Sequence, residues 1–585
     1  MALISPGIDL LATILSLSGG FIWFILSLNS WIASRFGYEI SAWTILVVTA
    51  LLIPLLSTIY IISIKVRHRR EAAAIGARMV PEAQGWLLGN LDIALELVHK
   101  MTTGYPGDGV WELLEKHGPV VNWRAMWGDL IFTNSPEHIK TILSTDFQNY
   151  VKGKRFHYDL KPVLGTGVFN SDGEMWKFHR SITRPMFTRE RIGHFELFDR
   201  QAFQVISKLK ERLREGYAVD FQDLMSRFTL DSATSFLFGN NVQSLSADLP
   251  YPHSATSYTS LNPRHTPQGD AANAFAHAFL EAQEVISLRE KYGWPWWPFM
   301  EMWRDKIQKP MQVVNDYIQP IVQEALAKKR VDVHVDGQEK VEGGEGSETL
   351  LDHLVGVTSD PVVLKDEILN IMIAGRDTTA STLTFIIYFL SIYPEVLSRL
   401  REEIISKVGH TRRPDYDDIR EMKYLRAVIN ETLRLYPIVP FNTRESVNAT
   451  TWVSDTPDEK PYYIPAGTKW DLVFCVYDAQ TQRLWGPDAE EFDPDRFLDD
   501  RLKKYLSKNP FIFLPFNAGP RICLGQQFAY NEMSFMIIRL LQSFSSMELD
   551  LAAAPPEAMP PKEWAHARAA KQLRSSIQDT SHDVY

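Results

Sequence analysis

One cysteine in this sequence has neighbours that could make it reactive. Cys523 lies in the segment Phe516–Gly525, which has the form F-x-x-G-x-R-x-C-x-G and is followed by an apolar stretch with helical periodicity. A cysteine just before a helix is stabilised as a thiolate by the positive end of that helix and by backbone N–H groups. The alternative is a buried, inert cysteine, the usual state of a free thiol. Because five residues of this segment fit one pattern, the sequence favours the first interpretation, in which the thiolate of Cys523 is a metal ligand.

The other fixed residues of the segment have a role if the metal is haem iron. Gly519 and Gly525 allow a tight turn and a close approach of the backbone to a flat macrocycle. Phe516 would shield the thiolate from water, and Arg521 would pair with a haem propionate. Thiolate ligation favours cleavage of the O–O bond over reversible oxygen binding. The second cysteine, Cys475, lies in an apolar strand-like run and is expected to be inert.

The segment Phe516–Gly525 resembles the haem-binding signature of the cytochrome P450 family, the haem-thiolate monooxygenases. Further motifs of that family occur in its usual order between residues 75 and 551. The sequence Ala-Gly-Arg-Asp-Thr-Thr at residues 374–379 is similar to that of fungal microsomal hydroxylases of alkanes and fatty acids. The resemblance implies a mainly α-helical fold with small β-sheets, a haem b (iron protoporphyrin IX) cofactor, and Cys523 as the axial ligand of its iron.

Residues 374–379 lie midway along a predicted long helix, and the resemblance implies that they form an oxygen-binding groove. Small Ala374 and Gly375 would let O2 lie against the helix. The Thr378 hydroxyl would hydrogen-bond the bound oxygen, and Asp377 would pass protons inward. The alternative is an ordinary helix in which the threonine bonds back to its own backbone. Together with the cysteine segment, the motif favours the catalytic interpretation.

Other residues match family positions that hold the haem or brace the cysteine loop. Three are implied as further propionate ligands: Trp176, Arg180 and Arg444. Three are implied as a buried ionic triad beneath the cysteine loop: Glu431, Arg434 and Arg496. An isolated pair of this kind is usually solvated and weak, whereas removing one partner of a buried triad costs about 3–5 kcal/mol. His179 is expected on the surface of its helix.

The N-terminal region, residues 1–70, predicts a membrane anchor. Segments 10–33 and 40–64 contain no charged residue, and each is about long enough to cross a hydrocarbon core as a helix. The basic run 65–70 follows them, so the positive-inside rule places the rest of the chain in the cytosol. There are two alternatives for segment 10–33: it is a cleaved signal peptide, or it lies in the membrane interface without crossing the bilayer. We expect an endoplasmic reticulum membrane protein whose catalytic domain faces the cytosol.

After the anchor we expect a linker at 71–90, a catalytic domain at 91–551 and a polar tail at 552–585. The apolar hairpin that usually ends this family is not recognisable in that tail. Helical periodicity dominates the catalytic domain. The predicted helices are 275–288, 310–328, 364–393, 394–407, 423–436 and 525–543, and the predicted strands are 120–123, 131–133 and 469–474. Segments 244–270 and 331–348 are predicted as surface loops, the second of them disordered.

The sequence predicts a monooxygenase that inserts one oxygen atom from O2 into an apolar substrate, such as a fatty acid, an alkane or a polycyclic aromatic. Candidate pocket segments are 157–168, 371–378 and 439–442. No flavin or nicotinamide fingerprint is present, so a separate membrane-bound NADPH-dependent flavoprotein reductase is expected to supply the electrons. The net charge of −10 argues against nucleic acid as a partner. Two cysteines exclude a disulfide framework and a structural zinc site.

Two other functions remain as alternatives. A haem-thiolate isomerase rearranges a peroxide without external electrons, and the intact pair of Asp377 and Thr378 counts against it. A non-catalytic or decayed haem-binding protein would keep Cys523 alone, and the unrecognised hairpin is its only support. Turnover of a lipid hydroperoxide without NADPH would favour the first. A normal haem spectrum without substrate-linked NADPH oxidation would favour the second.

Overall fold

The computed structural model is mainly helical, with two small β-sheets. It describes residues 5–554 except 38–40, 104–108, 125–126, 193–194, 240, 254, 256–266, 294–295, 336–348, 455, 468–469 and 476–481. The α-helices are α1 Pro6–Phe36, α2 Ala42–Ala74, α3 Leu91–Thr103, α4 Val110–His117, α5 Pro136–Lys140, α6 Gly153–Leu164, α7 Gly173–Thr183, α8 Arg189–Ile192, α9 Glu196–Arg214, α10 Phe221–Phe238, α11 Pro267–Tyr292, α12 Trp296–Met300, α13 Gln308–Val335, α14 Leu350–Val357, α15 Pro361–Ile392, α16 Pro394–Val408, α17 Tyr416–Glu421, α18 Lys423–Leu435, α19 Gln482–Trp485 and α20 Gln526–Ser543. The strands are β1 Arg78–Met79, β2 Val120–Asn122, β3 Leu130–Thr133, β4 Tyr150–Val151, β5 Phe441–Ser446, β6 Thr450–Trp452, β7 Tyr462–Ile464 and β8 Trp470–Cys475.

The strands of the described residues form two sheets, with the orders β1-β7-β6 and β2-β3-β8-β5-β4. β1 pairs parallel with β7, and β3 pairs parallel with β8, while the other pairs are antiparallel. In the larger sheet Arg444 of β5 lies opposite Leu472 of β8. The side chain of Arg444 is 1% exposed. The predicted class, mainly α with small sheets, is therefore confirmed, and β5 carries one of the predicted site residues into the interior.

α15 is the central helix of the catalytic domain. Pro361 occupies its first position, and the Asp360 side chain caps it by accepting from the Val362 N–H at 2.9 Å. Its apolar side chains belong to both large hydrophobic clusters of the fold. α10 packs along it so closely that a Cβ at Gly375 would lie 3.5 Å from Cβ of Ala233. This is an ordinary contact distance, so the packing of the two helices does not itself require glycine at position 375.

α20 is held by the larger core, which it shares with α9, α10, α15, α16 and α18. The ring of Phe528, in its first turn, lies 5.4 Å from that of Phe198 and 5.1 Å from that of Phe236, measured between centroids. Burial of aromatic side chains of this size stabilises a fold by about 1.5–3 kcal/mol each. This packing fixes the start of α20, and with it the cysteine loop that immediately precedes the helix.

The six predicted helices are present as α11, α13, α15, α16, α18 and α20, and the three predicted strands as β2, β3 and β8. Two loop predictions extend too far, because residues 267–270 form the first turn of α11 and residues 331–335 the last turns of α13. Residues 71–90, expected as a linker, are folded instead: they hold the end of α2 and strand β1, whose backbone groups pair with β7. The predicted disorder at 336–348 and the predicted lack of a hairpin in the tail from 555 lie outside the described residues.

Both predicted apolar segments at the N-terminus are helical, as α1 and α2. Among the described residues, one helix, Trp43–Ala74, is long and apolar enough to cross a membrane, and Pro6–Ser16 is a shorter apolar helix. Most large apolar side chains of both helices are exposed. The apolar helix α2 makes membrane anchoring plausible, and a crossing by α1 stays a prediction. The first residues of α1 lie against α12.

Candidate functional site

The loop before α20 fixes the backbone around Cys523 and leaves its sulfur accessible. The Cys523 N–H donates to the Phe516 carbonyl at 3.0 Å, and the Ile522 N–H donates to the Gly519 carbonyl at 3.0 Å. The Cys523 side chain is exposed, yet it is surrounded closely enough that burial raises the pKa of its thiol. The Gly525 N–H and the charge of Arg180 act in the opposite direction and lower that pKa. Accessibility combined with close surroundings is typical of a residue that lines an interior cleft.

The two predicted loop glycines have different surroundings. Gly519 has φ +66°, and a Cβ there would lie 1.9 Å from the carbonyl oxygen of Leu143. The predicted tight turn is therefore present, but the close approach is to the protein's own backbone. A Cβ at Gly525 would lie 3.6 Å from the Phe187 ring and 4.0 Å from the Cys523 sulfur, which are ordinary contact distances. Only Gly519 is strictly required by the local geometry.

Three arginines predicted as haem ligands lie near one another beside this loop. Arg521 and Arg180 both lie near the ring of Trp176, with their Cζ atoms 4.6 and 5.8 Å from its centroid. Arg180 also donates to the Ile522 carbonyl at 2.9 Å. Burial, and then the charge of Arg521, lower the pKa of Arg444 to about 9, and burial lowers that of Arg521 to about 10. The structure thus brings several cations together at the cost of removing them from water.

These arginines fit an anionic cofactor. Among the described residues, Arg444 has no carboxylate partner, since it donates to the side-chain oxygen of Asn442 and the carbonyl of Thr443. The Nε atoms of Arg444 and Arg521 are buried without a hydrogen-bond partner. Arg521 is paired with Asp172, but a buried guanidinium that donates only to uncharged oxygens, as that of Arg444 does, is costly unless an anion binds to it. The propionates of a haem whose iron meets the Cys523 sulfur would supply such anions, so the residues present fit the predicted cofactor.

The motif at 374–379 places an acid and an alcohol on adjacent positions of α15. The Asp377 side chain is 35% exposed, and its Oδ1 lies 3.4 Å from Nε of Arg376. Although the side chain is partly accessible, the protein around its carboxyl group removes it from bulk water and so raises the pKa of Asp377, while the charge of Arg376 and a hydrogen bond with Gln283 of α11 lower it. The Thr378 hydroxyl donates to the Ala374 carbonyl at 2.6 Å. The back-bonding considered as an alternative is therefore present, and the threonine oxygen can still accept a hydrogen bond.

The predicted ionic triad is assembled and buried. Arg434 donates to the two carboxylate oxygens of Glu431 at 2.6 and 2.8 Å, and Arg496 Nε lies 3.5 Å from the same carboxylate. All three side chains are 0% exposed. The arginines also donate to carbonyls of the segment 485–491. The triad therefore fastens that segment to α18.

Asp172 is a central residue of the site that the sequence analysis missed. It accepts from Arg521 at 2.7 Å and from the Lys152 N–H at 2.9 Å, and it lies 2.8 Å from His157 Nε2. Burial acts to raise the pKa of Asp172, but the hydrogen bonds from His157 and the backbone outweigh it and lower the pKa. The carboxylate therefore joins the cysteine loop to the predicted pocket segment 157–168. In the sequence, the only indication of this role is that Asp172 is an acidic residue directly before the helix that carries Trp176.

The prediction that His179 lies on the helix surface is wrong. His179 is 0% exposed, and its Nδ1 contacts Oε1 of the equally buried Glu367 in α15. Glu367 also accepts from the Val168 N–H at 3.1 Å and from the Thr183 hydroxyl at 3.0 Å. A buried carboxylate needs such donors, which explains why polar residues of α7 face inward. The same contacts hold the end of segment 157–168 against α15.

The chain is similar to known proteins over most of its length. The family model described as Cytochrome P450 matches residues 84–562. Cytochrome P450 52E1 of Candida apicola is 36% identical over 425 residues, covering 72% of this chain and 76% of the relative. Cytochrome P450 52A9 of Candida maltosa is 38% identical over 435 residues, with the same coverage of 72% and 76%. Cytochrome P450 52-M1 of Starmerella bombicola is 36% identical over 434 residues, again with 72% and 76% covered.

Proposed function

Because the chain belongs to the cytochrome P450 family of monooxygenases, we propose that it inserts one oxygen atom from O2 into a long-chain alkane or fatty acid. The class of reaction follows from the family. The proposed substrate class rests on residues 374–379, whose sequence resembles that of fungal hydroxylases of such chains. The single observation that carries the proposed site is the accessible sulfur of Cys523 with a group of cations around its loop, in which the buried Arg444 donates only to uncharged oxygens.

We propose that haem b binds between the cysteine loop and α15. Cys523 is the iron ligand, and Phe516 and Gly525 flank it in the loop. The propionates are held by the remaining site residues: Trp176, Arg180, Arg444 and Arg521. Bound haem supplies an iron centre at which O2 can be reduced and its O–O bond cleaved. Arg521 is oriented for this role by Asp172, which lies 2.7 Å away.

Asp377 and Thr378 are proposed to handle the protons that this reaction consumes. Burial raises the pKa of Asp377, so its carboxyl group exchanges protons more readily near neutral pH than an ordinary aspartate. Arg376 and Gln283 keep the carboxyl in place beside the groove. The Thr378 hydroxyl is oriented by the hydrogen bond that it donates to the Ala374 carbonyl. Its oxygen is available to accept a hydrogen bond from another donor.

Members of the family use a redox partner, O2 and hydrophobic substrates. We propose below which redox partner this chain uses and where in the cell it lies. Electrons are supplied by a membrane-bound NADPH-dependent flavoprotein reductase that docks on the cysteine side. Exposed Arg184 lies near Arg180, which donates to the carbonyl of the exposed Ile522 in the loop, and a cation there complements an acidic partner. The apolar helix α2 anchors the chain in the endoplasmic reticulum membrane, with the catalytic domain in the cytosol.

The test is the absorbance of the reduced, carbon monoxide-bound protein in the parent, Cys523→Ser and Cys475→Ser. Strong sulfur donation should give the parent and Cys475→Ser a Soret band shifted to about 450 nm, and Cys523→Ser should lack it. With added reductase and NADPH, the parent should convert dodecanoic acid to a hydroxylated product, and without reductase it should not. An unshifted parent spectrum, or an unchanged spectrum for Cys523→Ser, contradicts the proposed site.

A further inference from the structure

The imidazole ring of His157, on α6, is held between two oxygen atoms. Its Nε2 lies 2.8 Å from Asp172 Oδ2, and its Nδ1 lies 3.2 Å from Asn170 Oδ1. The orientation of the Asn170 amide is fixed, because its Nδ2 donates to the carbonyls of His157 at 3.1 Å and of Gly165 at 2.8 Å. The Asn170 oxygen therefore faces the ring. An ionised carboxylate and an amide oxygen only accept hydrogen bonds, so both ring nitrogens must donate, which only the protonated imidazolium can do.

The charges around α6 agree with a protonated His157. Burial acts to lower the pKa of His157, but the hydrogen bond and the charge of Asp172, with hydrogen bonds from Asn170, outweigh it and raise the pKa above 6.5. Asp172 is the carboxylate that faces the ring. The charged groups that reach α6 from the other elements around it act at other residues of the helix: Glu445 of β5 at Gly153, Glu290 of α11 at Lys152, and Asp366 of α15 at Gly165.

Asp172 connects His157 to Arg521 of the cysteine loop. Its Oδ2 accepts from His157 and from the Gly153 N–H at 3.0 Å, and its Oδ1 accepts from Arg521 at 2.7 Å and from the Lys152 N–H at 2.9 Å. If His157 loses its proton, Arg521 is left as the one charged partner of Asp172 among the described contacts. The carboxylate then competes more strongly for Arg521, whose Nε is buried without a hydrogen-bond partner. The charge on His157 therefore affects how readily Arg521 can bind a second anion.

We propose that His157 is a positioning residue: its positive charge offsets that of Asp172, so that Arg521 is free to bind a carboxylate of the cofactor, and the protein holds its cofactor more tightly when His157 is protonated. His157 acts through Asp172 and not on the cofactor itself. Because its pKa in the folded chain lies above 6.5, this contribution is fully present below pH 6.5 and is lost as pH rises through the folded-state pKa. The inference rests on the proposed function for the identity of the cofactor.

The test compares a neutral and a permanently charged substitution, His157→Gln and His157→Lys. The His157 side chain is 29% exposed, so neither substitution disturbs the core. His410→Gln, at an exposed position after α16, is the matched control. The rate of haem transfer from each full-length, haem-loaded protein to a high-affinity acceptor protein is measured at about pH 6 and about pH 9.

The parent and His410→Gln should lose haem at least about threefold faster at the higher pH, because outer partners of this kind affect binding at a bound iron centre by a measurable factor. His157→Gln should be fast at both pH values, and His157→Lys should be slow at both. A role for His157 in packing alone would not distinguish the two substitutions and would not follow pH.

A second readout does not require transfer of the haem. Hydrogen exchange of the Lys152 and Gly153 amides, which donate to Asp172, should be faster in His157→Gln than in His157→Lys at each pH. Equal exchange, equal haem transfer in these two variants, or a parent rate that does not change with pH overturns the inference alone. A parent that lacks the Soret band at about 450 nm overturns the proposed function, and this inference with it.

Discussion

Replacing Arg444 by methionine should have opposite effects on the haem-free and the haem-loaded protein. Arg444 and Arg434 are both 1% exposed, but their partners differ. Arg434 donates to both carboxylate oxygens of Glu431, whereas Arg444 donates only to uncharged oxygens. Arg444→Met should therefore stabilise the haem-free chain and weaken haem binding. Arg434→Met, the matched control, should destabilise the chain in both states.

The magnitudes follow from the burial of the two guanidinium groups. Burial lowers the pKa of Arg444 from 12.5 to about 9, which at about 1.4 kcal/mol per pKa unit sets an upper limit of about 5 kcal/mol on the unfavourable contribution. The variant also loses two hydrogen bonds worth about 1 kcal/mol each. Subtracting them from the upper limit leaves a gain of at most about 3 kcal/mol for the haem-free Arg444→Met chain. Arg434→Met should cost about 3–5 kcal/mol.

The assay is urea denaturation followed by tryptophan fluorescence, on protein produced with and without haem. Haem affinity is measured separately, as the rate of haem transfer to a high-affinity acceptor protein. Loss of a charged hydrogen bond to a propionate, worth about 1.5–3 kcal/mol, should speed this transfer by at least about tenfold in Arg444→Met. If haem-free Arg444→Met is destabilised as much as Arg434→Met, then Arg444 is a structural residue and the argument for an anion-binding cluster is refuted.

Two further predictions concern the cysteine loop and the helix that follows it. Gly519→Ala should cost at least about 2 kcal/mol more than Gly216→Ala, measured by thermal unfolding, because both glycines have positive φ but only Gly519 faces Leu143; equal losses would contradict this. Burial raises the pKa of Glu532 from 4.5 to about 8, so the folded chain holds this proton more tightly than the unfolded chain. The resulting stability is fully present below pH 4.5 and is lost as pH rises to about 8, with a slope of up to about 1.4 kcal/mol per pH unit. Glu532→Gln should flatten this dependence in urea denaturation between pH 5 and 8, and an unchanged slope would count against a raised pKa.

The long helices of this fold could be predicted because their signals are local. Residues 364–393 are apolar at helical spacing, and Pro361 with the capping Asp360 marks where α15 begins. The start of α11 could not be predicted, since residues 267–270 are polar and resemble the preceding loop. β1 was missed for another reason: it has two residues and exists only through its pairing with β7. Such pairing depends on residues far away in the sequence.

The same distinction separates the site residues that were found from those that were missed. Cys523 and the loop around it could be recognised because five fixed residues lie within one short segment. Asp172 could not, because its partners Arg521 and His157 are distant in the sequence or unremarkable in type. His179 was placed on the surface because histidine is polar, and its inward orientation depends on Glu367. Buried polar pairs are tertiary features that helical periodicity does not reveal.

The contacts of Glu367 affect the order in which parts of the chain can fold during synthesis. The residues that donate to it, Val168 and Thr183, are separated from it by 199 and 184 positions in the chain. Contacts between such distant segments form late, because closing a long loop costs entropy before any contact is gained. The region that carries Trp176 and Arg180 cannot reach its final position on the ribosome until α15 has emerged. Any cofactor held by these residues therefore binds only after most of the chain has been synthesised.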